Sequence, residues 1–155
     1  MEQIVLARIG RVSSPVTNGR DEKWGTVVAE ILLDDSRFGP ACLSGLEEFS
    51  HVEVIFVFDQ LFESEIEHTA RHPRDNKRWP RVGIFAQRGR KRPNRLGATI
   101  CELVSVDGLC VRVRGLDAFD GSPVVDLKPV MKEFLPESGS VRQPQWSREL
   151  MSTYF

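Results

Sequence analysis

The sequence predicts a mainly β fold: a β-barrel or β-sandwich with short helical appendages, one domain over residues 1–155. Two observations predict it. Six or seven apolar stretches of strand length recur along the chain, and Asp-Gly or Pro punctuation separates them. With 41% hydrophobic residues in a 155-residue chain, there is enough apolar surface for one core without disulfide or metal staples.

The elements follow in order. Residues 4–12 are apolar and β-branched at both ends and read as a strand closed by Ser13-Ser14-Pro15. Residues 16–25 are polar, with Asn18-Gly19 inside them, and read as a loop. Residues 26–33 give a second strand. Residues 41–49, after Phe38-Gly39-Pro40, suit a short helix with Leu43, Leu46 and Phe49 inward. Residues 51–58 are heavily apolar and predict a strand buried on both faces, with His51 a core-edge histidine. Residues 64–72 are polar and helix-compatible. Residues 82–87, 98–106 and 109–114 predict three more strands, the last two joined through Asp107-Gly108 as a hairpin. Leu109, Val111 and Val113 then share one face and Arg112 and Arg114 the other. Residues 122–130 form a strand entered through Asp120-Gly121, and residues 145–154 form a helix after Pro144. No internal repeat or low-complexity linker divides the chain.

Composition narrows the function. The formal net charge is -1, yet residues 71–95 hold ten basic side chains against one acid, Asp75, for a local +9. The remainder carries 11 basic and 21 acidic residues. Such a segment is a polyanion site or a solvated face paired with the acidic remainder. Cys42, Cys101 and Cys110 are widely spaced without a C-x-x-C pair, and read as reduced core cysteines. No apolar run reaches the roughly 18 to 20 residues of a membrane span, and the N-terminus lacks signal-peptide character. The expectation is a cytoplasmic domain with no membrane partner.

Standard sites are missing. There is no G-x-G-x-x-G, no phosphate cradle of the G-x-x-x-x-G-K-[ST] type and no G-x-S-x-G elbow. His68 and His72 stand four apart, but no metalloprotease pattern surrounds them and Pro73 ends the segment, so no metal site is expected. Asp59-Gln60 follow an apolar strand directly, as site residues or as a turn. Asp117 and Asp120 lie three apart in a turn-rich stretch, to hold a ligand or to close the hairpin. Residues 88–97, R-G-R-K-R-P-N-R-L-G, project five basic side chains from irregular backbone, which suits phosphate or carboxylate recognition. Trp24 and Trp79 are placed to stack on a base or to pack inside.

Five motifs occur in order: G-L-E-E-F-S-H at residues 45–51, F-V-F-D-Q at 56–60, G-I-F-A-Q-R at 83–88, R-P-N-R-L-G at 92–97, and D-G-S-P-V-V-D-L-K-P at 120–129. Together they resemble the TsaA/YaeB-like family over residues 9–136. The resemblance implies a small, usually dimeric barrel that binds S-adenosylmethionine without a Rossmann fold. It implies methyl transfer to N6 of threonylcarbamoyladenosine, just 3′ of the anticodon in tRNA. By match to the motifs, Lys23, Trp24, Gly25, Asp59, Gln60, Arg88, Leu116, Asp117, Ala118 and Phe119 are the expected cofactor positions. Arg90, Lys91, Arg92 and Arg95 are the expected tRNA contacts, and Asp117 or Asp120 the expected general base. Asp126 and Lys128 fall in the last motif, with Asp126 expected to be structural.

The sequence departs from the family pattern F-A-T-R-S-P-x-R-P-N-P-I-G. Gln87 replaces Thr, Gly89 replaces Ser, Arg95 replaces the second Pro and Leu96 replaces Ile. The K-P-Y that closes the family signature becomes Lys128-Pro129-Val130. The extension that longer tRNA-modifying members carry beyond the barrel is expected to be missing here. These changes leave cofactor binding in place and bear on the acceptor. Two other readings therefore stand beside the tRNA enzyme: an S-adenosylmethionine sensor that contacts a protein, and a methyltransferase on a non-tRNA acceptor.

Overall fold

The computed structural model describes residues 3–19 and 22–155. Among them, six strands close an antiparallel barrel: β1 (Gly10–Ser13), β2 (Val28–Leu33), β3 (His51–Val57), β6 (Leu96–Asp107), β7 (Cys110–Arg114) and β8 (Pro123–Pro129). Their order around the barrel is β1-β2-β7-β6-β3-β8, and β8 returns to β1. A separate two-stranded ribbon pairs β4 (Ala70–Arg71) with β5 (Val82–Gly83). One helix, α1 (Gln145–Met151), follows the barrel.

Period-2 alternation builds the core. Val111 and Val113 of β7 are fully buried, while Arg112 and Arg114 point out and pair with Glu30 and Glu102 at 2.6 and 2.7 Å. Val52, Val54 and Phe56 of β3 face the same interior as Val12, Ile31, Cys101 and Val124. Each such side chain contributes about 1.5–3 kcal/mol over an exposed one. The β6–β7 hairpin turns as predicted, through Gly108 at φ +58 with Asp107 opposite Cys110.

Several expectations are corrected. Ile4, Val5 and Leu6 are 85%, 87% and 61% exposed; β1 starts only at Gly10, where the registers with Leu33 and Val124 begin. Residues 41–49 form two 3-10 turns, Pro40–Leu43 and Leu46–Glu48, because Gly45 at φ +86 breaks any helix. Leu43 is buried as expected, with Leu46 half-buried against the core. The outer face of β3 is only half-buried, and His51 is exposed beside the Ser50 hydroxyl. Residues 64–72 form no α-helix: only the 3-10 turn Glu63–Glu65 starts there, then the Glu67 amide donates to the Lys91 carbonyl at 3.0 Å, across to the basic loop, and Ala70–Arg71 joins the ribbon. Residues 82–87 hold strand only to Gly83, then close as the turn Ile84–Ala86, which buries Ile84. Cys42 is exposed, Cys101 buried and Cys110 half-buried. Burial pushes the Cys101 thiol up to about 12, with the charge of Asp117 adding to it.

Candidate functional site

The barrel strands hand over at one place. β7 leaves β6 at the Arg114–Glu102 pair, so residues 115–119 run beside the first half of β6 without continuing the ladder. Thr99 of β6 reaches across this gap and donates its hydroxyl to Asp117 Oδ1 at 2.5 Å. Around the gap lies a cleft of about 1100 Å³. Its walls are the outer face of β3 and β6 (Glu53, Ala98, Ile100), the loop after β3 (Asp59, Gln60), the ribbon with residues 73–75 and 84–91, and the C-terminal residues 142–155.

The floor is aromatic. Trp24 is buried and stands 6.0 Å from Phe119, centroid to centroid, in a small apolar cluster with Val16, Val27 and Tyr154. The rim is basic: Arg71, Arg74, Arg88, Arg90, Lys91 and Arg142 line it. Arg71 is paired with Asp75 at 2.6 Å and Lys91 with Glu65 at 3.6 Å. Arg88 donates to the Ala98 carbonyl, fixing the loop to β6. The Arg90 guanidinium lies 5.9 Å above the Phe119 ring. An apolar floor with few polar groups and a cationic rim suits a nucleoside-like ligand bearing an anionic group.

The expected site residues separate into two groups. Trp24, Asp59, Gln60, Arg88, Arg90, Lys91, Asp117 and Phe119 all line the cleft. Leu116 and Ala118 are buried core side chains at 0% and 1% exposure, facing inward. Lys23 and Gly25 are not lining residues, and their backbone meets the C-terminal segment instead. Asp120 is a turn residue: its Oδ1 accepts the Ser14 amide at 3.0 Å, outside the cleft lining. Arg92 donates to the Gln87 carbonyl and Arg95 to the Leu61 carbonyl, both at 3.1 Å, so these two guanidiniums brace the loop. Asp126 accepts from the Leu127 amide and pairs with Lys128 at 2.7 Å on the barrel surface. No group of His, Cys, Asp or Glu among the described residues is arranged to hold a metal, and His72 Nδ1 sits 2.7 Å from the Trp79 carbonyl. No helix among them is long and apolar enough to cross a membrane.

Residues 20–134 match the family described as the tRNA-methyltransferase O N-terminal domain. The chain belongs to that family. A "tRNA (adenine(37)-N6)-methyltransferase" of Escherichia coli is 40% identical over 102 residues, covering 62% of this chain and 43% of the relative. A "Probable S-adenosyl-L-methionine-binding protein" of Pyrococcus abyssi is 31% identical over 134 residues, covering 81% of this chain and 67% of the relative. The crystal structure of TrmO from Pseudomonas aeruginosa superposes with a TM-score of 0.71 at 23% identity, covering 91% of this chain and 62% of that one. This chain thus spans less than half the length of the Escherichia coli relative. The expected barrel is the fold of the tRNA-methyltransferase O N-terminal domain.

The family match stops at residue 134, but the cleft does not. Arg142, Trp146, Leu150, Tyr154 and Phe155 line it from beyond the match, and sequence reading placed none of them in the site. The helix itself was legible. Nothing in its spacing says which surface it docks on. Arg71 and Arg74 were visible only as charge; β4 and the turn Pro73–Asp75 that follows it place them on the cleft.

Proposed function

We propose that this chain is an S-adenosylmethionine-dependent methyltransferase acting on N6 of threonylcarbamoyladenosine 3′ of the anticodon in tRNA. The observation that carries the reading is a cleft in which most of the expected cofactor positions and a cationic rim meet. At about 1100 Å³ it exceeds the roughly 300–1,000 Å³ typical of one small ligand, so cofactor and an extruded base both fit. Its donor set suits the cofactor: Phe119, backed by the buried Trp24, offers apolar surface to an adenine, Asp59 and Gln60 offer acceptors to ribose hydroxyls, and Arg88 offers charge to a carboxylate.

When bound, S-adenosylmethionine supplies an electrophilic methyl group on a sulfonium. The chain's own task is positional: to hold the acceptor nitrogen in line and near attack distance while excluding water. The acylated N6 releases its proton readily, so orientation dominates over strong base catalysis. Arg90 and Lys91 on the rim hold the anionic backbone or side chain of the acceptor. We extend the proposal to a single domain that acts in the cytoplasm as a homodimer; for the dimer, Phe62, Phe85 and Phe134, which are 77%, 78% and 84% exposed, offer apolar surface.

A second reading is favoured by one observation. The Pyrococcus abyssi relative, of which the chain covers 67%, is named for cofactor binding alone. A sensor module would bind the cofactor and transfer nothing. Titration calorimetry with S-adenosylmethionine, followed by threonylcarbamoylated tRNA, separates the two. Micromolar cofactor binding, about -8 kcal/mol, with salt-dependent tRNA binding and methyl transfer supports the enzyme. Cofactor binding without tRNA binding supports the sensor. No cofactor binding overturns both.

A further inference from the structure

The C-terminal segment is tied to the rest of the chain at several points. Lys23 and Trp24 donate their amides to the carbonyls of Thr153 and Tyr154, at 2.8 and 2.7 Å. The Trp79 indole N–H donates to Glu149 Oε2 at 2.8 Å. A side chain at Gly25 would meet the backbone carbon of Phe155 at 2.7 Å, so the tail lies flat on that glycine. The Tyr154 hydroxyl donates to Asp117 Oδ2, while Thr99 holds Oδ1.

Asp117 therefore has both oxygens engaged by hydroxyls of the protein itself. A proton acceptor for the substrate needs an oxygen aimed at that substrate. What this carboxylate does instead is join β6, the 115–119 segment and the tail at one point in the cleft wall. Beyond this junction the tail presents Trp146 and Arg142, an aromatic surface and an exposed cation with no side-chain partner among the described residues. That pair suits a stacked base with an anionic group.

Resting on the function proposed above, we infer that residues 142–155 form the wall of the cleft that receives the acceptor, with the Tyr154–Asp117 hydrogen bond as its latch. The residues expected to hold the cofactor lie within 20–134, the part shared with the family; the tail lies outside that span and supplies the remaining wall of the cleft. Asp117 is thus a positioning residue that acts through Tyr154.

The test compares Tyr154→Phe, Asp117→Ala, Asp117→Asn and the Tyr154→Phe/Asp117→Ala double variant in steady-state methyl transfer to threonylcarbamoylated tRNA. Losing a hydrogen bond to a charged group predicts an acceptor KM raised roughly tenfold in the first two, with kcat little changed. Asp117→Asn keeps an oxygen for Tyr154 and an N–H₂ for the Thr99 oxygen, and stays near wild type. The double variant is no worse than either single change. Asp117→Asn that loses kcat at unchanged KM places Asp117 in the chemistry and overturns the inference, as does Tyr154→Phe with an unchanged acceptor KM. Cofactor titration of the wild type tests the underlying function separately. Should that fail, binding of an anticodon stem-loop RNA still reads the wall: Tyr154→Phe that weakens it upholds the acceptor wall, and unaltered binding overturns it. Thermal melting of Tyr154→Phe guards against misfolding, since this variant removes one oxygen atom only.

Discussion

Trp79 and Glu149, 70 residues apart, are joined by a 2.8 Å hydrogen bond from the indole N–H to Oε2. Gln145 donates to the other oxygen at 2.8 Å. These donors hold the Glu149 carboxyl below its ordinary 4.5, Trp79 first. A depressed carboxylate stabilises the folded state above its unfolded pKa and loses that contribution as pH falls through the folded value. Docking of α1 is therefore expected to be constant at neutral pH and to weaken only as acid takes the protein below 4.5. Tryptophan fluorescence against pH checks this, with Glu149→Gln losing the transition.

Phe56 lays its ring on Gly97, directly opposite in the β3–β6 register. A Cβ at Gly97 would sit 2.4 Å from the ring. Gly97→Ala is expected to cost about 1–3 kcal/mol by overpacking, a fall in Tm of roughly 2–12 °C. Calorimetric melting measures it, and an unchanged Tm contradicts the close approach.

The three cysteines differ in reach. Cys42 is exposed and Cys101 is 1% exposed. With its thiol pushed up to about 12, Cys101 carries almost no thiolate near pH 8. Maleimide labelling at that pH is expected to modify Cys42 first and Cys101 only on unfolding, as mass spectrometry of the labelled peptides will show.

The basic loop predicts unequal effects of charge reversal. Arg90 lines the cleft, while Arg95 braces the loop through the Leu61 carbonyl. Arg90→Glu is expected to weaken RNA binding and to reduce its salt slope by about 0.7 for each phosphate no longer neutralised, with Tm unchanged. Arg95→Glu is expected to lower Tm as well. Filter binding across a salt series with parallel melts distinguishes them.

Much of the fold was readable in one dimension. The inward alternation of Val111 and Val113, the Gly108 turn and the ordered motifs up to residue 129 are local patterns, and local patterns survive into the barrel. Where the reading erred, a distant partner or a backbone turn overrode local propensity. The Glu67 amide pairs with Lys91 rather than starting a helix, and the strand expected over residues 82–87 closes as a turn to bury Ile84.

By itself the sequence determined a mainly β fold, through the period of its apolar residues, the barrel, through the resemblance its ordered motifs carry, and the presence of a basic, site-like segment, through its composition. Only the tertiary structure decided which of those cations face the cleft, which brace backbone carbonyls, and that the tail beyond residue 134 completes the wall. The physical reason is separation. Asp117 meets Tyr154 across 37 residues and Asp120 meets Ser14 across 106, and no spacing rule along the chain encodes where a folded surface will place two such groups.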